Sequence, residues 1–224
     1  MCVSKAPKRS SSRICIHWAN GNCMYGEDCW NLHSWNDGIS TKLQGKNPNA
    51  MRFVWWTAPP PDFVKINCDG AFSTCHGSKA SAGGVVRDWE GKFVVGFSHL
   101  LNNCETVVEA ELLAIKIGIQ VTISKGFKKL VVESDSYSAI QLINDGVFTC
   151  HPYPALVSSI LDIANTADAV CYNHVFRETN SVADGFARHG LSLSPNSDVQ
   201  LFSCPPAFSL RSLRADEAGE IYSR

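Results

Sequence analysis

Residues 105–135, ETVVEAELLAIKIGIQVTISKGFKKLVVESD, read as a helix over 105–125 followed by a β-rich run, KKLVVESD, that ends in two acidic residues around a serine. At ~100° per residue, Glu109, Lys116 and Gln120 share a narrow wedge of the helix, and Glu111 lies roughly 160° from it. Glu111 is therefore expected to face inward, toward a sheet. A lone carboxylate there costs much in desolvation, and neighbouring carboxylates would hold it neutral unless a cation sits among them.

Upstream of this stretch, Pro59, Pro60 and Pro61 end an extended segment. FVKINCD (63–69) and GKFVVGFSHL (91–100) then give short β-rich runs separated by turn signals. Downstream, 136–145 and 153–165 read as helices, AVCYNHVF (169–176) as a strand and 179–190 as a last helix. The order βββαβααβα predicts an α/β fold, a mixed sheet flanked by helices, because strand, helix, strand successions build right-handed parallel crossovers. Residues 193–224 are expected as a loosely attached C-terminal tail. Asp69 and Asp135 each finish a strand, and Asp184 falls in the final helix. With Glu111 they form a set of four carboxylates suited to a hard, oxygen-seeking Mg2+ pair. Simpler roles stand beside this one: Asp135 as the cap of the helix starting near Ser136, and Asp184 as the i,i+4 partner of Arg188.

The chain has 224 residues, 45% hydrophobic and 18% charged, which excludes wholesale disorder, collagen and long coiled coils. No apolar run approaches the ~18 residues of a membrane helix, and the basic opening has no apolar segment behind it. A nuclear or cytoplasmic protein, neither secreted nor membrane-spanning, is the expectation. Charge is segregated: residues 1–52 hold seven Lys+Arg against three Asp+Glu, and the remainder thirteen against eighteen. A basic arm suits a polyanion, whereas the acidic remainder repels one unless divalent cations occupy its carboxylates. No nucleophile elbow and no phosphate-cradling glycine loop occurs, which sets aside serine hydrolase and nucleoside-triphosphatase chemistry and any small-molecule cofactor.

The N-terminal region carries Cys15-x7-Cys23-x5-Cys29-x3-His33, four ligands suited to tetrahedral zinc, with Gly21 and Gly26 between them. So short a segment buries too little apolar surface to fold alone, so a structural Zn2+ would supply its folding free energy. Residues 13–35 resemble the CCCH zinc-finger family. The resemblance implies binding of single-stranded RNA, with Trp18, Tyr25, Trp30 and Trp35 as stacking platforms. Asn31 stands where many relatives carry an aromatic, and a structural or protein-binding finger is the alternative role. The domain organisation that follows is a basic N-terminus (1–14), a finger (15–35), a linker (36–54), an α/β domain (55–192) and the tail (193–224).

KINCDGAF, AGGVVRD, VEAELLAIKIGI, LVVESDS and HVFRETNSVADGFA, in this order and spacing, resemble the ribonuclease H type 1 family in its plant-type, reverse-transcriptase-associated branch. PPAFSLRSLRADEAG (205–219) is similar to endings of that branch. The resemblance implies a five-stranded mixed sheet. It also implies catalytic and metal-binding roles for Asp69, Glu111, Asp135 and Asp184, two catalytic Mg2+ ions, and cleavage of RNA in RNA/DNA hybrids. HVFRETN offers Arg177 and Glu178 where bacterial-type relatives carry a loop histidine. GVFTCHPY (146–153) has no Lys or Arg where some relatives carry a basic protrusion. Affinity for RNA and hybrid is then expected from the finger and basic arm. A second reading keeps the domain as a non-catalytic scaffold of an RNA-binding protein. Oligomeric state is left open.

Overall fold

Val64–Ser73 forms the central strand in the computed structural model, which describes residues 53–73, 79–146, 152–195 and 197–223. In chain order the strands are β1 (Phe53–Val54), β2 (Val64–Ser73), β3 (Lys79–Arg87), β4 (Phe93–Leu101), β5 (Lys129–Ser134), β6 (Ala169–His174), β7 (Gln200–Phe202) and β8 (Tyr222–Ser223). The helices are α1 (Val107–Ser124), α2 (Tyr137–Asp145), α3 (Pro154–Ala164), α4 (Ser181–Gly190) and α5 (Leu210–Glu217). The expected βββαβααβα order is therefore present, from β2 to α4.

The main sheet runs β6-β5-β2-β3-β4-β7. β5 is parallel to β2 and to β6, and the β2–β3, β3–β4 and β4–β7 pairs are antiparallel. Local chemistry explains the joints. Asp88 Oδ1 accepts from the backbone nitrogens of Glu90 and Lys92, and Gly91 takes φ +81°, which closes the β3–β4 hairpin. Thr106 caps α1 by accepting from the Glu109 nitrogen, and Ser136 caps α2 by accepting from that of Ala139. The cap of α2 is thus Ser136, leaving Asp135 for another role.

Two faces of the sheet are covered. α1 lies against β2 and β3 with Leu112, Ile115 and Ile119 fully buried, and α3 packs beside it. α4 packs over β2, β3 and β4, where Phe186 and Val182 join Val85 and Leu213 in a buried cluster. Close approach needs missing side chains: a Cβ on Gly83 would stand 2.1 Å from the Ala187 nitrogen. Helix and sheet are also hydrogen-bonded there, since the hydroxyls of Ser81 and Ser98 donate to the Ala187 and Phe186 carbonyls.

Two expectations are corrected. Among the described residues the sheet has six strands where five were expected, because β7 adds to the edge of β4 through Gly96↔Phe202 to Ser98↔Gln200. Residues 193–224, expected as a loose tail, instead provide β7, α5 and β8. β8 pairs with β1, and Leu213 and Asp216 of α5 are buried. The physical reason is a deficit elsewhere: Phe186 and Val85 would lie open without Leu213 and Phe202 over them. Among the described residues no helix is long and apolar enough to cross a membrane.

Candidate active site

β5 pairs with β2 only as far as Cys68↔Ser134, so Asp69, which lies within β2 and not at its end as expected, and Asp135, one residue past β5, come next along the two parallel chains. α1 crosses β2 at this level. Gly70 permits the crossing, since a Cβ there would meet the Glu111 nitrogen at 2.5 Å. The result is that Asp69, Glu111 and Asp135 offer carboxylate oxygens that all lie within 4.8 Å of one another. Glu111 faces inward as its helical position predicted, with a relative exposure of 5%, and Asp69 is 8% exposed.

The electrostatics are those of crowded carboxyls, two of them buried. Burial, then the negative charges of Asp135 and Asp184, raise the Asp69 carboxyl from its ordinary value to about 7. Burial, then Asp69 and Asp135, push Glu111 up to about 9. Hydrogen bonds from the Ser134 hydroxyl, at 3.0 Å to Glu111 Oε2, and from the Gly70 backbone oppose this rise without cancelling it. Three converging hard oxygen donors, two of them (Asp69 and Glu111) held toward their neutral forms, fit a divalent cation such as Mg2+.

Asp184 stands beside this triad, outside the three-carboxylate group. Its Oδ2 is 3.0 Å from Arg188 Nε, the i,i+4 pairing that the sequence offered as the simpler role, and its Oδ1 is 3.6 Å from Arg177 Nη2. It remains close enough for its charge to raise Asp69, while that of Arg177 lowers it. Arg177 is largely exposed, in a 3-10 turn (Arg177–Asn180) leading into α4. The positions expected in the finger, Cys15, Cys23, Cys29 and His33 as zinc ligands with Trp18, Tyr25, Trp30 and Trp35 as platforms, lie outside the described residues.

Two asparagines beside the carboxylates are interior. Asn180 stands at the start of α4 but makes no cap with its side chain; its Nδ2 donates to the Cys68 carbonyl at 2.9 Å and to Asp135 Oδ1 at 3.1 Å. Asn67 is fully buried and donates to Glu133 Oε2 at 2.9 Å. A signal for the second existed: KINCD places Lys65, Asn67 and Asp69 on one face of β2, a polar face on a central strand, which is tolerated only beside polar partners.

A family model described as reverse transcriptase-like matches residues 67–190. The chain is 34% identical over 177 residues to a candidate ribonuclease H protein of Arabidopsis thaliana, an alignment covering 79% of this chain and 28% of that protein. The chain thus spans under a third of the curated relative it matches. Among solved structures, RNase H1 of the archaeon Halobacterium salinarum is similar at TM-score 0.53 and 23% identity, over 58% of this chain and 98% of that one. A compost-derived RNase H1 in complex with an RNA/DNA hybrid is similar at TM-score 0.52 and 20% identity, over 58% and 96%. At these identities the likeness is one of fold: a mixed α/β, ribonuclease H-like sheet with flanking helices.

Proposed function

The chain belongs to the reverse transcriptase-like family, and from that premise we propose that it is a metal-dependent endonuclease cleaving the RNA strand of RNA/DNA hybrids. The observation that carries this reading is the convergence of Asp69, Glu111 and Asp135 within 4.8 Å. Those three residues, together with Asp184, would hold two Mg2+ ions. Bound divalent cations supply charge neutralisation at the scissile phosphate and a lowered pKa for the attacking water. The chain's own residues prepare the site. Ser134 and the Gly70 backbone orient Glu111, Asn180 orients Asp135, and Arg177 offsets the negative charge felt by Asp69.

Asp184, paired with Arg188 in this structure, would give up that contact to reach a cation held by the other three. Arg177 and Glu178 occupy the segment before α4 where a mobile proton carrier would serve product release. The non-catalytic scaffold reading gives no account of three carboxylates held together against their own repulsion, two of them with raised pKa values. The solved relative in complex with hybrid supports the choice of substrate.

Within the same proposal, Cys15, Cys23, Cys29 and His33 bind a structural Zn2+, and Trp18, Tyr25, Trp30 and Trp35 stack on single-stranded RNA. The basic arm (1–14) and a linker (36–54) then tether substrate to an otherwise acidic domain. The deciding experiment is cleavage of an end-labelled hybrid with Mg2+ by the chain and by Asp69→Asn. Cutting by the first and a loss of at least a hundredfold in the second are expected. Equal cutting by both, or none by either, overturns the nuclease reading.

A further inference from the structure

Lys65, Asn67, Arg87, Glu133 and Asp216, five polar residues from three strands and α5, are all buried on the sheet face that α4 and α5 cover. Asn67 and Glu133 are direct partners in the parallel β2–β5 register, and each lies two residues before a site carboxylate, Asp69 or Asp135. Their side chains are bonded at 2.9 Å, Asn67 Nδ2 donating to Glu133 Oε2. This bond joins the two strands one same-face step before the carboxylates.

The bond is itself held from both ends. Arg87 Nη2 at 2.7 Å and Trp56 Nε1 at 3.0 Å both donate to Asn67 Oδ1, which fixes the amide so that only its NH2 can face Glu133. Glu133 Oε1 takes the Lys65 ammonium at 2.6 Å, and that ammonium also donates to the Thr57 carbonyl at 2.6 Å. Arg87 lies 3.6 Å over the Trp56 ring and pairs with Asp216 Oδ2 at 2.6 Å, across 129 residues of chain. A continuous path thus runs from α5 through Arg87 and Asn67 to the strands bearing the acidic site.

Stability alone is a poor account of this arrangement. Arg87 Nε and Asp216 Oδ1 are buried without a hydrogen-bond partner, and burial shifts both groups toward their neutral forms, Arg87 down and Asp216 up, despite their pairing. A buried pair with open valences is often no more stable than an apolar one of similar volume. What an apolar pair cannot reproduce is the orientation of the Asn67 amide.

We propose that Arg87 is a positioning residue, anchored by Asp216, that orients Asn67 and through its bond to Glu133 sets the spacing of Asp69 and Asp135 for divalent-cation binding. The inference rests on the metal site of the proposed function but not on hybrid as the substrate. It assigns α5 and the Trp56 segment, neither of which touches the acidic site, a part in cation affinity.

The test is titration calorimetry of the full chain with Mg2+ alone, paired with thermal melts. The double variant Arg87→Met, Asp216→Leu replaces the ion pair by apolar side chains. It should melt near the parent temperature yet bind Mg2+ about tenfold more weakly, the lower end of the effect of losing a supporting partner behind a metal ligand. Asp216→Asn keeps an oxygen for Arg87 but leaves its charge unpaired; it should melt lower while binding Mg2+ within about threefold of the parent. A double variant that binds like the parent, or that fails to fold, overturns the proposal, as does a Kd that simply follows melting temperature across both. A parent chain that binds Mg2+ but leaves hybrid intact removes the nuclease reading and leaves this one standing, whereas a parent that binds no Mg2+ removes both.

Discussion

Gly70 lies directly beneath Glu111: a Cβ on the glycine would stand 2.5 Å from the Glu111 nitrogen and 2.6 Å from the Ala110 carbonyl carbon. Both neighbours are backbone atoms, so no side-chain rotation relieves the clash, and α1 as a whole must move. Gly70→Ala should therefore cost about 1–3 kcal/mol in denaturant unfolding, the range for overpacking a close contact. It should also weaken Mg2+ binding by more than its stability loss explains, because Glu111 is carried on the displaced helix. Unchanged calorimetric affinity would mean that the acidic site tolerates a shift of α1.

The cation-free protein should become less stable as pH rises from about 4 to about 9. Asp69 and Glu111 have folded-state pKa values raised to about 7 and about 9, above their ordinary values of 3.8 and 4.5. Within that window the folded state binds more protons than the unfolded chain, so unfolding free energy falls with increasing pH. Saturating Mg2+ binds the ionised carboxylates and should flatten or reverse the slope. Melting temperatures in chelator and in Mg2+, taken from pH 5 to pH 9, check this: the two curves should diverge upward in pH. Asp69→Asn should remove part of the chelator slope.

Asp184 has two claims on it, and they separate by mutation. Its 3.0 Å contact with Arg188 is a partly exposed i,i+4 ion pair, worth about 0.3–0.5 kcal/mol. Arg188→Ala should then change stability by no more than that and leave turnover of hybrid intact, since Asp184 is only freed. Asp184→Asn should lower kcat at least tenfold with little change in melting temperature. Steady-state kinetics on both variants decide it; comparable turnover for the two would return Asp184 to a purely structural role.

The convergence of Asp69, Glu111 and Asp135 was legible because each signal is local: a carboxylate one step past a strand pairing, a carboxylate opposite the polar wedge of a helix, and a helix crossover joining them. What sequence did not show is carried by long separations. Arg87 and Asp216 are 129 residues apart, and nothing in AGGVVRD or SLRADEAG announces a partner. β7 is three residues long, with a pairing to β4 that only the exposed edge of a finished sheet could attract. Asn180 is hard to place from sequence for a different reason. Its position at a helix start is that of a cap, but the side chain found stronger partners in the Cys68 carbonyl and Asp135. Asp184 falls between: the sequence left open both its pairing with Arg188 and a place near the acids, and the structure retains the first while keeping it near the second.

The N-terminal region should contribute binding and little chemistry. Residues 1–52 carry a net charge of plus 4 and the remainder minus 5, so the acidic domain alone meets a polyanion with the wrong sign. Removing residues 1–36 takes away the basic arm and all four proposed zinc ligands while leaving every residue of the acidic site in place. KM for hybrid should rise at least tenfold and kcat change by less than about threefold, because a tether raises local substrate concentration without altering the bound geometry. The salt dependence gives an independent reading. Each phosphate that the protein no longer neutralises flattens the plot of log KM against log salt by about 0.7–0.9, so the shortened chain should show a shallower slope than the full one. Equal KM values with parallel salt slopes would place the affinity for hybrid within the ribonuclease H-like domain itself, on cationic side chains such as Arg177 that border its carboxylates.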